Sequence, residues 1–429
     1  MVTCGHAVFA FFACLCIINF MIYDLIIIGG GAAGLFAAIK AKLNNKSVLV
    51  LEHTSRAAKK ILSTGNGKCN LTNSYCKVDL FGSNPEGLYP YFSSGNKEFI
   101  EKVISRFDAD DTIRFFESLG VALVNKNGYI YPRSEQASTI NDVLRMSLSG
   151  LGVDVLTEVD VKTITTAKRK DKENVFCVNS QQKGRNVLIA AGGSAASKTG
   201  SDGSGFKLAK ALGHDIILPG PALCGVKCKE GIFKELSGVR CDCKVNLTDE
   251  HGNTLISSHG NVQFTSYGLS GIPIFQISSE VGKYLKSNKK IKIAVDLIPD
   301  MDEEKIISYI EKDAPWKNKD NQIYDSLTGL LNKKIVSVLH KINGDKIKAG
   351  DVAHNIKKFT VTPVGLNSLE EAQTCSGGVN TEEIDPYTMQ SRIVPGLYFA
   401  GEIIDVNGIC GGYNLQWAWS TAHIVSVSI

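Results

Sequence analysis

The stretch YDLIIIGGGAAG, from Tyr23 to Gly34, constrains the fold of this chain more than any other. Tyr23–Ile28 is a continuous apolar run ending in glycines, the pattern of a buried parallel strand. Ala32–Leu43 is alanine-rich with helical spacing, and Ser47–Leu51 reads as a second strand. Together they predict a βαβ unit of about thirty residues, the size of a dinucleotide-binding module. Within it Gly29 permits a tight turn, Gly31 lets a pyrophosphate approach the backbone, and Gly34 allows close helix–strand packing. Ala32 and Ala33 begin the helix, whose free N–H groups and positive dipole end suit phosphate. Glu52 closes the second strand, where a carboxylate accepts hydrogen bonds from an adenosine ribose, and His53 follows it. A glycine motif alone is also a plain turn. With strand, helix and acid all in place, the unit predicts nucleotide binding.

The chain has 429 residues, enough for a large core and two or three domains. Phe99–Leu119 and Thr139–Leu148 read as amphipathic helices, Val153–Val159 and Val175–Ser180 as strands, and Asn186–Ala191 as a further buried strand. From about 215 to 298 the pattern changes to short strands with turn signals such as His251-Gly252-Asn253, which suggests an antiparallel barrel or sandwich. Asp302–Lys312 and Asn332–Ile342 read as helices, Leu397–Ala400 as a strand, and Gly411–Val427 as the last helix. The order predicts a nucleotide fold that is begun, interrupted and then completed.

A net charge of +4 is small for this length and does not suggest a dedicated nucleic-acid binder. The twelve cysteines are scattered. Cys224 and Cys228, with Cys241 and Cys243, come closest to a metal pattern, but their C-x3-C and C-x-C spacings are irregular for zinc. No metal is expected, and reduced cytoplasmic thiols are the better reading. Residues 1–20 are apolar without a basic start or a cleavage site, and Met21 then opens MIYDLIIIGGG. They read as an upstream extension, with a membrane anchor as the alternative.

Two later segments favour FAD over a nicotinamide dinucleotide as the tightly held ligand. Leu188–Gly193 is a strand followed by glycines, bringing in Ala191 and Gly192. Gly396–Glu402 repeats the pattern, with Gly401 and Glu402 placed where a ribityl chain needs partners. Gly412, Asn414 and Leu415 then open the last helix, whose backbone donors suit the isoalloxazine O2 and N1.

The blocks YDLIIIGGGAAG, TGNGKCNLTN, FTSYGLSG, EEAQTCSGGVN and GEIIDVNGICGGYNLQWAWSTA resemble those of a bacterial family of NAD(P)/FAD-dependent oxidoreductases, from Met21 nearly to the end. The resemblance implies a Rossmann-like FAD domain of the two-dinucleotide-fold type with an inserted β-barrel and small helical part. The expected division is an apolar extension at 1–20, FAD-binding parts at 21–200 and 356–429, and a substrate domain at 201–355. GNGKCNLTN then reads as a second clamp on the flavin. Gly65 and Gly67 permit backbone approach, Lys59, Lys60 and Lys68 supply charge, and Asn66, Cys69 and Asn70 complete the loop. Val159 and Asp405 join the candidate cofactor set. Lys68 stands where the family often has Arg, and Ser266 where it often has His. Thr374-Cys375-Ser376 replaces a Val- and Ala-containing stretch, and the tail after Trp419 is short. The sequons at Asn70 and Asn246 are chance matches in a cytoplasmic protein.

The family reduces activated carbon–carbon double bonds. One branch acts on 3-oxo-Δ4 and Δ6 bile-acid intermediates, and another forms dihydrouridine in large-subunit ribosomal RNA. The expected chemistry is hydride delivery from FAD, with NADH or NADPH as reductant, to the electron-poor carbon of an enone, followed by protonation. Tyr413 and Tyr267 are the candidate donors, and Cys410 a weaker one. A steroid or bile-acid substrate, free or as a CoA thioester, needs an apolar slot. Ribosomal RNA needs a basic surface, and the Lys168–Lys172 and Lys286–Lys292 runs read better as solvated loops. A non-catalytic FAD-binding redox module is the remaining alternative. A thiol–disulfide reductase is disfavoured because Cys69 and Cys76 lack its spacing.

Overall fold

The computed structural model describes residues 22–85, 87–168, 174–312, 322–344 and 348–429. The apolar run at 1–20 and most of the basic run at 168–172 lie outside them. The chain divides into two compact units. One holds the residues up to Phe81, Pro90–Pro219 and Ser376–Ile429; the other holds Gly82–Tyr89 and Gly220–Cys375.

The first unit is built on a parallel sheet. Its elements are β1 (Ile22–Ile28), α1 (Ala32–Leu43), β2 (Val48–Leu51), β3 (Gln182–Ile189), β4 (Leu397–Phe399) and the final helix α2 (Tyr413–Ser428). β1 lies between β2 and β3, and β3 also pairs with β4, all in parallel. Asp154–Leu156 extends the sheet beyond β2, and the hairpin Ile164–Lys168 and Asn174–Val178 extends it beyond β3. Leu25, Ile26 and Ile27 are fully buried, which accounts for the unbroken apolar run: a strand covered on both faces has no side for water. Phe36 of α1 packs at 4.3 Å from Phe115 and 5.6 Å from Trp419 of α2. Residues from the beginning, middle and end of the chain thus share one aromatic core.

Two sequence expectations are corrected here. Phe99–Leu119 is not one helix but two, Lys97–Ile104 and Ala109–Ser118. Asp108 accepts from the Asp110 and Asp111 N–H groups while Asp111 accepts from Asp108 N–H, a capping box that starts a new helix inside the apolar periodicity. The strand expected over Val153–Val159 shrinks to Asp154–Leu156.

The second unit carries a seven-stranded antiparallel sheet. In spatial order its strands are Phe359–Val361, Ile291–Asp296, Arg240–Asp249, Thr254–Thr265, Gly268–Gly271, Val226–Cys228 and Pro363–Leu366. The path begins and ends in two segments that only Thr362 separates in the chain. The expectation of strands throughout 215–298 is corrected at Ile272–Lys286, a helix of 15 residues. Pro273 sits in its first turn, where a missing N–H costs nothing, and Ile274, Ile277 and Val281 bury one face. Helices at Glu303–Glu311 and Lys333–Asn343 pack into the same core through Ile306, Ile310, Val338 and Leu339. Among the described residues no helix is long and apolar enough to cross a membrane.

Candidate functional site

The turn after β1 is shaped by contacts that only glycine tolerates. Gly29 has φ +103°, and a Cβ there would stand 2.5 Å from the Ala190 carbonyl oxygen at the end of β3. A Cβ on Gly34 would stand 2.0 Å from the Gly29 carbonyl oxygen, so the helix can sit this close to the strand only without one. Gly31 differs. Its Cβ would meet only the Ala190 oxygen, at 4.0 Å, so this position opens outwards. No side chain caps α1 there, which leaves its first-turn N–H groups for a ligand.

Glu52 is 6 % exposed and fixed in orientation. Its Oε2 accepts from Gly30 N–H at 2.7 Å, and its Oε1 from Thr54 N–H at 2.8 Å and Thr54 Oγ1 at 2.7 Å. Oε2 therefore keeps acceptor capacity for a hydroxyl. His53 adjoins this carboxylate with Nδ1 3.7 Å from Oε1, and Val159 N–H donates to the Glu52 carbonyl. Gly192, at φ +74°, is packed against Ser201, and a Cβ on Gly29 would stand 2.7 Å from Ala191 Cα.

The GNGKCNLTN loop begins inside the 3-10 stretch Lys59–Gly67, which is broken by non-helical backbone at Thr64, Gly65 and Asn66. Gly65, Asn66, Gly67 and Cys69 all have left-handed φ, between +54° and +82°. Lys68 N–H and Cys69 N–H donate back to the Gly65 and Thr64 carbonyls, which closes the turn on itself. Lys60 donates to Glu402 at 2.7 Å and to the Ala195 carbonyl at 3.2 Å, which ties this loop to the segments after β3 and β4. Lys59 is exposed. Lys68 pairs with Glu135 at 2.7 Å, and Lys126 also pairs with Glu135. These two ammonium groups hold the Glu135 carboxyl down to about 2. The Cys69 thiol is fully buried, and burial pushes it up to about 12, so it is no thiolate.

The second half of the loop is pinned to the C-terminal helix. Thr72 Oγ1 donates to Gln416 Oε1 at 2.6 Å, Asn73 Nδ2 to the Gly411 carbonyl at 3.0 Å, and Trp419 Nε1 to the Leu71 carbonyl at 3.0 Å. A Cβ on Gly412 would stand 2.6 Å from the Thr72 carbonyl carbon. Gly412 begins α2 with no side-chain cap. Asn414 holds the preceding turn through both ends of its amide, accepting from Gly408 N–H and donating to the Gly408 carbonyl, each at 2.8 Å. Leu415 is half-buried. Gly401, at φ +79°, would place a Cβ 3.1 Å from Ala33 Cβ, so the loop after β4 reaches the start of α1. Asp405 is buried and accepts from Ser94 N–H at 2.9 Å.

Tyr413 is fully buried, with its ring edge-on to Tyr91 at 5.9 Å. Tyr267 belongs to the second unit, where its hydroxyl accepts from Asn367 Nδ2 at 2.9 Å. Sequence reasoning missed Gln416 and Asn141 as organisers. Asn141 is fully buried and donates to the Ala58 carbonyl at 3.2 Å, while Ala58 N–H donates to the Gly30 carbonyl at 2.7 Å. Nothing in the local sequence marks either residue, because their partners lie far away along the chain. A further constellation resembles a hydrolytic relay: Ser391 Oγ lies 2.9 Å from His214 Nε2, and His214 Nδ1 lies 2.9 Å from Glu383. Ser391 Oγ also accepts from the N–H groups of Ile393 and Val394 and is buried, so it clasps a turn rather than attacking a substrate.

The arrangement fits an ADP-containing dinucleotide such as FAD: an open cradle at Gly31, uncapped starts on α1 and α2, and an oriented acid at Glu52. A family model described as the HI0933-like protein Rossmann domain matches residues 23–428. The 3-dehydro-bile acid delta(4,6)-reductase of Clostridium scindens is 37% identical to this chain over 416 residues, 93% of this chain and 97% of that protein. The ribosomal RNA dihydrouridine synthase of Haemophilus influenzae is 30% identical over 94% of this chain and 98% of that protein. Among solved structures, the 3-ketosteroid delta1-dehydrogenase from Sterolibacterium denitrificans superposes with a TM-score of 0.51 at 12% identity, covering 94% of this chain and 98% of that one. At that identity it supports the fold alone.

Proposed function

This chain belongs to the HI0933-like Rossmann family, and on that footing we propose that it is an FAD-dependent oxidoreductase reducing activated carbon–carbon double bonds with NADH or NADPH as donor. The preferred acceptor is a 3-oxo-Δ4 or Δ4,6 steroid of the bile-acid type. The observation that carries this choice is the 37% identity, running through 93% of the chain, to a reductase of that name. A second reading, formation of dihydrouridine in ribosomal RNA, draws on the relative that is 30% identical over a similar length.

FAD, when bound, supplies hydride transfer between the nicotinamide and the electron-poor carbon. α1 would offer its first N–H groups to the pyrophosphate, and Glu52 would accept from the adenosine ribose. The Lys60–Glu402 pair and Asp405 would serve the ribityl side. The uncapped start of α2 at Gly412 would offer its positive dipole end to the flavin ring. Tyr413 and Tyr267, the latter with its hydroxyl held by Asn367, are the candidate proton donors. We read the second unit as the inserted substrate domain, and its sheet, whose end strands Phe359–Val361 and Pro363–Leu366 are consecutive in the chain, as a barrel. The nine free cysteines among the described residues agree with a cytoplasmic setting.

The test is anaerobic. Purified protein should be yellow, bleach with NADH or NADPH, and regain its colour with a 3-oxo-4,6-diene bile acid. Reoxidation by ribosomal RNA from a dihydrouridine-deficient strain, and not by the steroid, would transfer the assignment to the second reading. Bleaching by neither nucleotide would reject both and leave a non-catalytic redox module.

A further inference from the structure

Asn70 is the residue of the GNGKCNLTN loop whose bonding is unfinished. It is 7 % exposed, and its Oδ1 is buried without a hydrogen-bond partner. Its backbone is held on both sides. Cys69 is fully buried with φ +57°, and its N–H donates to the Thr64 carbonyl; Leu71 is fully buried, donates to the Ile130 carbonyl and accepts from Trp419 Nε1. A Cβ on Gly65 would stand 2.7 Å from Asn70 N, so the loop closes tightly over this residue. The amide therefore has little freedom to swing towards water. A buried polar atom left unpaired costs about 1–3 kcal/mol, and folded chains rarely keep one without a partner from outside.

The surroundings narrow the partner. Two residues further along, Thr72 packs against Gly412, so Asn70 lies on the segment that passes the uncapped start of α2. That helix start attracts an electron-rich group carrying carbonyl oxygens. An asparagine amide has an acceptor and a donor side by side and matches a ligand edge with a donor and an acceptor side by side. A cyclic imide has that edge, with an N–H flanked by a carbonyl. We infer that Asn70 pairs with the imide edge of the isoalloxazine ring, its Oδ1 accepting from flavin N3–H and its Nδ2 donating to the adjacent carbonyl oxygen. This rests on the FAD reading above and refines it. The residue serves as a determinant of flavin identity, rejecting rings that lack the N3–H.

The experiment compares the affinity of apoprotein for FAD and for 3-methyl-FAD, which lacks the N3 proton, by quenching of flavin fluorescence. Wild type should bind the methylated cofactor about 10- to 100-fold more weakly, the size of one or two buried hydrogen bonds. Asn70→Leu keeps the bulk but removes the amide. It should weaken FAD by a similar factor and bring the two cofactors to within about threefold of each other. If Asn70→Leu keeps the wild-type ratio, the discrimination is steric and the inference is overturned. Equal affinity of wild type for the two flavins overturns it as well. Should the variant fail to fold, the N3–H proton of isotopically labelled FAD on wild type decides: a slowly exchanging resonance supports the bond, and rapid exchange with water refutes it. Wild type that binds FAD but not in this way leaves the oxidoreductase reading intact, whereas wild type that binds no FAD removes both.

Discussion

Gln416→Leu tests whether the C-terminal helix and the GNGKCNLTN loop are held together as described. Gln416 is fully buried, and its amide makes four hydrogen bonds. Its Oε1 accepts from Thr72 Oγ1 at 2.6 Å and Thr112 Oγ1 at 2.8 Å; its Nε2 donates to the Phe107 carbonyl and to Ser420 Oγ, each at 2.9 Å. Leucine fills nearly the same volume, so no large cavity opens. The Phe107 carbonyl keeps its bond from Ser420 Oγ at 2.6 Å. The loss therefore falls on Thr72 and Thr112, both fully buried, whose hydroxyls lose their acceptor. Each orphaned hydroxyl costs about 1–2 kcal/mol, and the added apolar burial returns about 1 kcal/mol, for a net loss of about 1–3 kcal/mol. For a unit of this size that lowers the melting temperature by about 2–12 °C. Tryptophan fluorescence during thermal unfolding is the assay, because Trp417 and Trp419 follow the substituted position in the same helix. The decisive comparison is the triple variant Thr72→Val, Thr112→Val, Gln416→Leu, which removes both sides of each bond. It should recover to within about 1 kcal/mol of wild type, since an apolar replacement of a whole polar cluster is nearly neutral. A single variant as stable as wild type, or a triple variant worse than the single, would refute the network as an energetic link.

Three other outcomes are expected. Gly412→Ala places a Cβ 2.6 Å from the Thr72 backbone at φ +97°, so FAD affinity should drop at least tenfold, measured by flavin fluorescence, while the second unit unfolds as in wild type. His423 is stacked on Phe107 at 4.5 Å, and burial, with Lys40 nearby, pushes it down to about 4. The unfolded chain takes up this proton first, so stability is full above about 6.5 and falls as the pH drops towards 4. The decline is at most about 3 kcal/mol and nearer 1–2 kcal/mol after solvent screening, and His423→Phe should flatten it in urea titrations. Cys69, held up at about 12, should resist a thiol reagent at pH 8 in the folded protein and react once the protein is unfolded, as read by mass spectrometry of the labelled peptide.

How much was legible in the sequence depended on how far apart the interacting atoms lie along the chain. The βαβ unit was readable because its requirements sit within one contiguous stretch. A turn that excludes side chains, a helix start left open and an acid at the next strand end all act over a few residues. The break between Lys97–Ile104 and Ala109–Ser118 was equally local, written in Asp108 and Asp111, and was hidden only by an apolar period that runs through it. The helix at Ile272–Lys286 was marked by Pro273 and lost among its strand-rich neighbours.

Other features were decided only by the tertiary structure. Lys60 meets Glu402 across 342 residues, and Thr72 meets Gln416 across 344. Lys68, the cation expected at the flavin, is engaged by Glu135. Whether a charge or hydroxyl faces a ligand or another side chain depends on which distant segment packs beside it, and no local propensity carries that information. By itself the sequence determined that this chain builds a nucleotide cradle, because steric exclusion and helix-end hydrogen bonding are properties of adjacent residues. The tertiary structure decided which polar groups around the cradle are already satisfied and which, like Asn70, remain to be met, because a buried hydrogen bond exists only once both partners have been brought out of water together.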